Sequence, residues 1–173
     1  MKNLKKIVVL FSATLLFTSC NSDDAVLQID NSQILGTWKL IELEENGTTV
    51  TTTQGTSITA TLSAFGKDID AELTFTENPN KFVSLGSYVS VITTEVLGQQ
   101  ITQEVPINNF LGSGDWEING NSMSVSTNGE EDMAEIIELN ESRLKLKYTT
   151  SEETTLQGTA IKIDITVFYT LTK

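Results

Sequence analysis

The strongest constraint on this chain is the alternation in its last segment. Ile161, Ile163, Ile165, Val167, Tyr169 and Leu171 alternate with Lys162, Asp164, Thr166, Phe168, Thr170 and Thr172. A two-residue period sustained this long does not bury one face of a helix. It describes an extended strand with one apolar side. The same pattern recurs at Ala71, Leu73 and Phe75, at Leu144, Leu146 and Tyr148, and at Met123 and Val125. Further strands are expected near Gly36–Glu44, Thr48–Leu62, Lys81–Val96, Gln99–Val105 and Met133–Asn140. Threonine, valine and isoleucine abound, proline stands only at Pro79 and Pro106, and no 3.6-residue period persists.

Turn chemistry connects these segments. Asn119-Gly120 fits a two-residue hairpin loop, which would set Trp116 opposite Met123. Other turns are expected at Glu45-Asn46-Gly47, Glu77-Asn78-Pro79-Asn80, Leu97-Gly98, Leu111-Gly112-Ser113-Gly114 and Thr127-Asn128-Gly129. Many consecutive strands with short links predict one all-β domain over residues 34–173. A single antiparallel up-and-down barrel of about 8–10 strands would leave few open edges.

The amino terminus follows a different logic. Met1-Lys2-Asn3-Leu4-Lys5-Lys6 is basic, and Ile7 to Phe17 is apolar but far short of the ~20 residues that span a bilayer. That layout predicts a secretory signal over residues 1–19, with a core helix or an uncleaved anchor as the alternative. Phe17-Thr18-Ser19-Cys20 resembles a bacterial lipobox, with Phe17 where leucine is usual. The resemblance implies cleavage after Ser19, lipidation of Cys20 with acyl chains such as palmitate, and an outer-membrane anchor in the cell envelope. Residues 20–33 then form a flexible tether. Asp23-Asp24 resembles the signal that sends some Bacteroidetes lipoproteins to the outer face, and a plain polar tether explains the pair as well. Cys20 is the single cysteine, so no internal disulfide can form; a free thiol or an intermolecular bridge is the competing role.

Charge and composition narrow the chemistry. Loss of Lys2, Lys5 and Lys6 with the signal takes the net charge from −12 to −15, a field that repels nucleic acid. Histidine is absent, which removes Ser–His–Asp and Cys–His catalysis and nearly all zinc sites. Paired carboxylates alone could hydrolyse a glycoside, but no pair stands out. Asp115-x-Glu117-x-Asn119-Gly120 opens like a calcium loop, yet Ser126 occupies the place of the bidentate glutamate. The acidic turn Asn128-Gly129-Glu130-Glu131-Asp132 could hold calcium weakly. No catalytic residue, metal ligand or cofactor is assigned, and the chain is not expected to be an enzyme.

The folded region opens with Ile34-Leu35-Gly36-Thr37-Trp38-Lys39-Leu40. This Gly-x-Trp start resembles the lipocalin-like domain of Bacteroidetes-type lipoproteins. The resemblance implies a barrel whose Trp38 plugs one end, with Gly36 allowing close backbone approach. Arg143, the sole arginine, either stacks on Trp38 or stands at a surface turn. The expected function is non-catalytic binding of a small hydrophobic or amphipathic ligand. Trp38, Phe75, Trp116, Ile163, Ile165, Val167 and Tyr169 are its candidate pocket or core residues. The alternative is a surface lipoprotein with a filled barrel or sandwich that contacts protein or glycan through the Thr-rich segment Thr48–Leu62 and the strand Lys81–Val96. An apolar interior cavity above roughly 300 Å³ favours the binder.

Overall fold

A computed structural model describes residues 29–173; the expected signal, its cleavage site and Cys20 lie outside the described residues. A 3₁₀ turn, Asn31–Ile34, leads into nine antiparallel strands. These are β1 (Gly36–Thr53), β2 (Thr56–Thr76), β3 (Lys81–Val96), β4 (Gln99–Asn108), β5 (Ser113–Asn119), β6 (Ser122–Thr127), β7 (Glu130–Leu139), β8 (Arg143–Leu156) and β9 (Thr159–Thr172). The hydrogen-bonded order β2-β1-β9-β8-β7-β6-β5-β3, with β2 also paired to β3, is a closed ring. The all-β barrel expected from the alternation is the observed architecture.

The ring is complete over only part of its height. β3 gives the same edge to two partners: Lys81–Val83 to β5 and Ser87–Val96 to β4. β7 meets β8 no further than the pair Ala134–Tyr148. Beyond it, Thr149–Leu156 of β8 has β9 on one side and no described strand on the other. The outer edge of β4 is likewise unpaired among the described residues. The molecule is thus a closed barrel at one end that continues as an open, curved sheet of β4, β3, β2, β1, β9 and β8.

Packing follows this division. In the closed part Trp38, Leu73, Phe75, Phe82, Met123, Ile136, Leu144 and Leu171 are fully buried. Phe75 packs against Phe82 and edge-on against Trp116, with ring centroids 6.5 and 5.9 Å apart. In the open part the inward-facing residues remain accessible, Ile58 at 45% and Ile101 at 67%.

Several expected boundaries move. Glu45-Asn46-Gly47 is no turn, because β1 runs straight through it to Thr53. Thr48–Leu62, expected as a β segment that Gly55 breaks or bends, is a hairpin folded at Gln54-Gly55, where both residues have positive φ (51° and 80°). The β5–β6 loop is Gly120-Asn121, not Asn119-Gly120: Asn119 pairs with Ser122 and Trp116 faces Val125 rather than Met123. Positive φ falls on Gly120 alone in that loop, as a type II′ turn requires. The displacement is two residues in register, so Trp116, Ile118, Met123 and Val125 keep their inward face.

Candidate functional site

The closed end is a plug. Trp38 is fully buried, and its indole N–H donates to the Ile34 carbonyl at 2.6 Å. The cation over its ring is Lys173, with Nζ 4.4 Å from the centroid. Arg143 does not fill that role, since its Nε pairs with Glu138 at 3.2 Å. Gly36 serves a backbone need rather than close approach. Its φ is +106°, while a Cβ there would meet nothing nearer than Lys173 Cε at 3.8 Å.

The interior space lies at the other end of the filled core, where the ring gives way to the open sheet. A pocket of about 210 Å³ is lined by Leu73, Met123, Leu146, Tyr148, Tyr169 and Asp132, among others. Tyr148 Oη donates to Asp132 Oδ1 at 3.2 Å on its rim. Tyr169 belongs to an aromatic row with Phe110 and Tyr88, at centroid separations of 5.6 and 6.0 Å. Burial pushes the Tyr169 hydroxyl far above the usual phenol range and raises Tyr88 and Tyr148 as well, so all three rings stay neutral. Glu45 lies close enough to act on Tyr88 and Tyr169, and burial raises its own carboxyl.

The strand register shows what adjoins this pocket. One step beyond the Tyr148–Val167 pair, the inward residues are Thr150, Ile165, Gly47, Leu62, Thr94 and Ile101. The next step brings Glu152, Ile163, Thr49, Ala60 and Val96. The floor of the open sheet, contiguous with the pocket's rim, therefore mixes Ile163, Ile165, Leu62, Ile101 and Val96 with threonines and Glu152.

Of the candidates expected from sequence, Tyr169 lines the pocket, and Ile163 and Ile165 form the adjoining floor. Val167 is buried between them. Trp38, Phe75 and Trp116 sit in the filled core; Trp116 donates from its indole to the Thr76 carbonyl at 2.9 Å. The cavity is smaller than the roughly 300 Å³ of an ordinary small-molecule site, with room for no more than part of such a molecule. Sequence reasoning weighed Asp132 only as part of an acidic turn and missed Tyr148, Phe110 and Glu45 as site residues. Period-two parity marks Asp132 and Tyr148, which share faces with Ala134 and Leu146. Glu45 is hidden by a bulge at Ile41, which resets the parity after Leu40.

The opposite face of the open sheet carries a second concavity of about 560 Å³. Its walls come mostly from outward residues such as Asn46, Thr48, Thr61, Thr93, Ser151 and Asp164, and Gly47, Leu62, Thr150 and Ile165 of the inward set also reach it. Ser151 Oγ donates to Asp164 Oδ1 at 2.6 Å and Lys162 Nζ to Oδ2 at 2.8 Å. Among the described residues no group of three acidic, His or Cys side chains is placed to hold a metal.

Comparison with known families adds one match: the lipocalin-like domain, over residues 34–146. Comparison with curated proteins and with solved structures returns no significant match. The matched segment begins beside the Trp38 plug, ends inside β8 and covers well over half of the chain. On that match and on the closed antiparallel ring, the chain belongs to the family of lipocalin-like domains.

Proposed function

We propose that the protein is a membrane-tethered, non-catalytic binder of a small amphipathic molecule. One end of the ligand enters the pocket beneath Tyr169, and its body lies along the floor formed by Ile163, Ile165 and Leu62. Lipidation at Cys20 holds the domain at the outer membrane. The observation that carries this reading is the incomplete ring, which leaves inward-facing isoleucines uncovered beside an aromatic-lined pocket. A buried apolar side chain contributes about 1.5–3 kcal/mol, so an uncovered inward face is a ready source of ligand affinity.

Calorimetric titration with a non-ionic alkyl glycoside below its micellar concentration tests it. Saturable one-to-one binding is expected, and Ala134→Phe, which fills the pocket, should weaken it by about tenfold or more. Absence of saturable binding, or equal affinity in the filled variant, would overturn the reading. Mass spectrometry of membrane-extracted protein tests the anchor, which Cys20→Ala should abolish.

The outward concavity supports a second reading. Its many hydroxyl, amide and carboxylate groups, beside Leu62 and Ile165 and with no aromatic ring among them, suit a polar surface such as a glycan. Thr61→Val with Thr93→Val would weaken glycan binding and leave the alkyl glycoside affinity unchanged.

A further inference from the structure

The two faces of the barrel wall share out their charges unequally: acids stand on both, but the cations stand on one. Pleat alternation and register put Glu45, Glu130, Asp132 and Glu152 on the inward face, alongside Ala64, Thr127, Val125 and Ile163 respectively. No lysine or arginine among the described residues joins them. Lys39, Lys67, Lys81, Arg143, Lys145, Lys147 and Lys162 all lie on the outward face, and Lys173 caps the Trp38 end. Five of the outward cations are held in ion pairs with Glu104, Asp115, Glu138, Glu135 and Asp164. Neither Glu45 nor Asp132 has a cationic partner among the described residues, although Glu45 is partly desolvated.

We infer that the interior site selects an organic cation: an ammonium or amine carried on an apolar chain or ring. The inference rests on the binding reading above and names its ligand class. Asp132 on the pocket wall and Glu45, which acts on Tyr169 from beyond it, supply negative charge, and Tyr148 and Tyr169 supply π faces to the pocket. Carboxylates and aromatic faces together attract a positive head group, and partial exclusion of water strengthens both effects. The same arrangement repels a fatty-acid carboxylate, which would find no cation to pair with inside. The outward lysines cannot compensate, since they lie across the sheet.

The test compares three amphiphiles of one alkyl length on the full-length chain by calorimetry: a primary amine, a carboxylate and a non-ionic alkyl glycoside. The expected result is amine binding at least about tenfold tighter than carboxylate, with the glycoside between them. Asp132→Asn and Glu45→Gln should each erase most of that preference. Glu117→Gln with Glu131→Gln, which removes twice that charge from the outward face, should leave it intact; near-UV circular dichroism checks that each variant is folded. If the glycoside binds but amine and carboxylate bind alike, the charge selection is wrong and the pocket stands. A preference that falls equally with the outward pair is a diffuse field effect and also overturns the inference. If none of the three binds, the pocket and the inference fail together.

Discussion

Glu45 shows how a single side chain can connect stability to the site. It faces inward on β1, and burial raises its carboxyl above the ordinary value of 4.5. The folded state therefore holds this proton more tightly than the unfolded chain. The cost of burying the charge is absent below the unfolded pKa and full once the pH exceeds the raised folded value. Glu45→Gln removes that cost. The variant should match the parent in thermal unfolding near pH 4 and become the more stable of the two as pH rises to 7. A gap that is constant or reversed across this range contradicts the assignment. At the plug the sign is opposite: Trp38→Ala deletes a fully buried ring and should cost about 3–5 kcal/mol by denaturant unfolding. Ser84 is inward, buried, and its hydroxyl has no partner among the described residues. Ser84→Ala should accordingly be neutral or mildly stabilising. The plug was legible in the sequence because Gly-x-Trp is local. The cation upon it was not, because Lys173 reaches Trp38 only through pairing of the two ends of the fold.

At the scale of elements, hairpin chemistry accounts for what could be read and what could not. Asn128-Gly129 and Leu97-Gly98 are both turns with two positive φ values, at 54° and 87° and at 52° and 77°. The glycine of each announces the loop. Leu97, however, is a poor residue for that conformation and is 81% exposed. Leu97→Asn should stabilise the β3–β4 hairpin by about 1 kcal/mol, read as a raised thermal midpoint. No change or a loss would mean that Leu97 makes contacts in the folded protein that its exposure hides. Gln54-Gly55 and Gln157-Gly158 use the same turn without asparagine, and this explains the misplaced break at Asn46-Gly47. There the Asn-Gly pair lies within a continuous strand. A Cβ on Gly47 would come within 2.9 Å of the Asp164 carbonyl, so the glycine answers to close packing of β9 and not to a turn. Bulges at Ile41 and near Ile137 also shift the parity that sequence reading relies upon.

Over the whole molecule, alternation made the barrel legible but not the height at which its ring stops. That height depends on where β7 leaves β8 and on which partner takes each half of β3, and both are pairings between segments far apart in the chain. The consequence is functional. The same inward isoleucines that would be core in a complete ring become a floor beside a pocket. Methyl-labelled isoleucine in the presence of a bound non-ionic alkyl glycoside tests this most directly. Intermolecular nuclear Overhauser contacts from the alkyl chain are predicted to the methyls of Ile163 and Ile165, and none to outward-facing Ile41, which is 52% exposed. Contacts to Ile41 with silence at Ile163 and Ile165 would place the ligand outside the barrel and contradict the account.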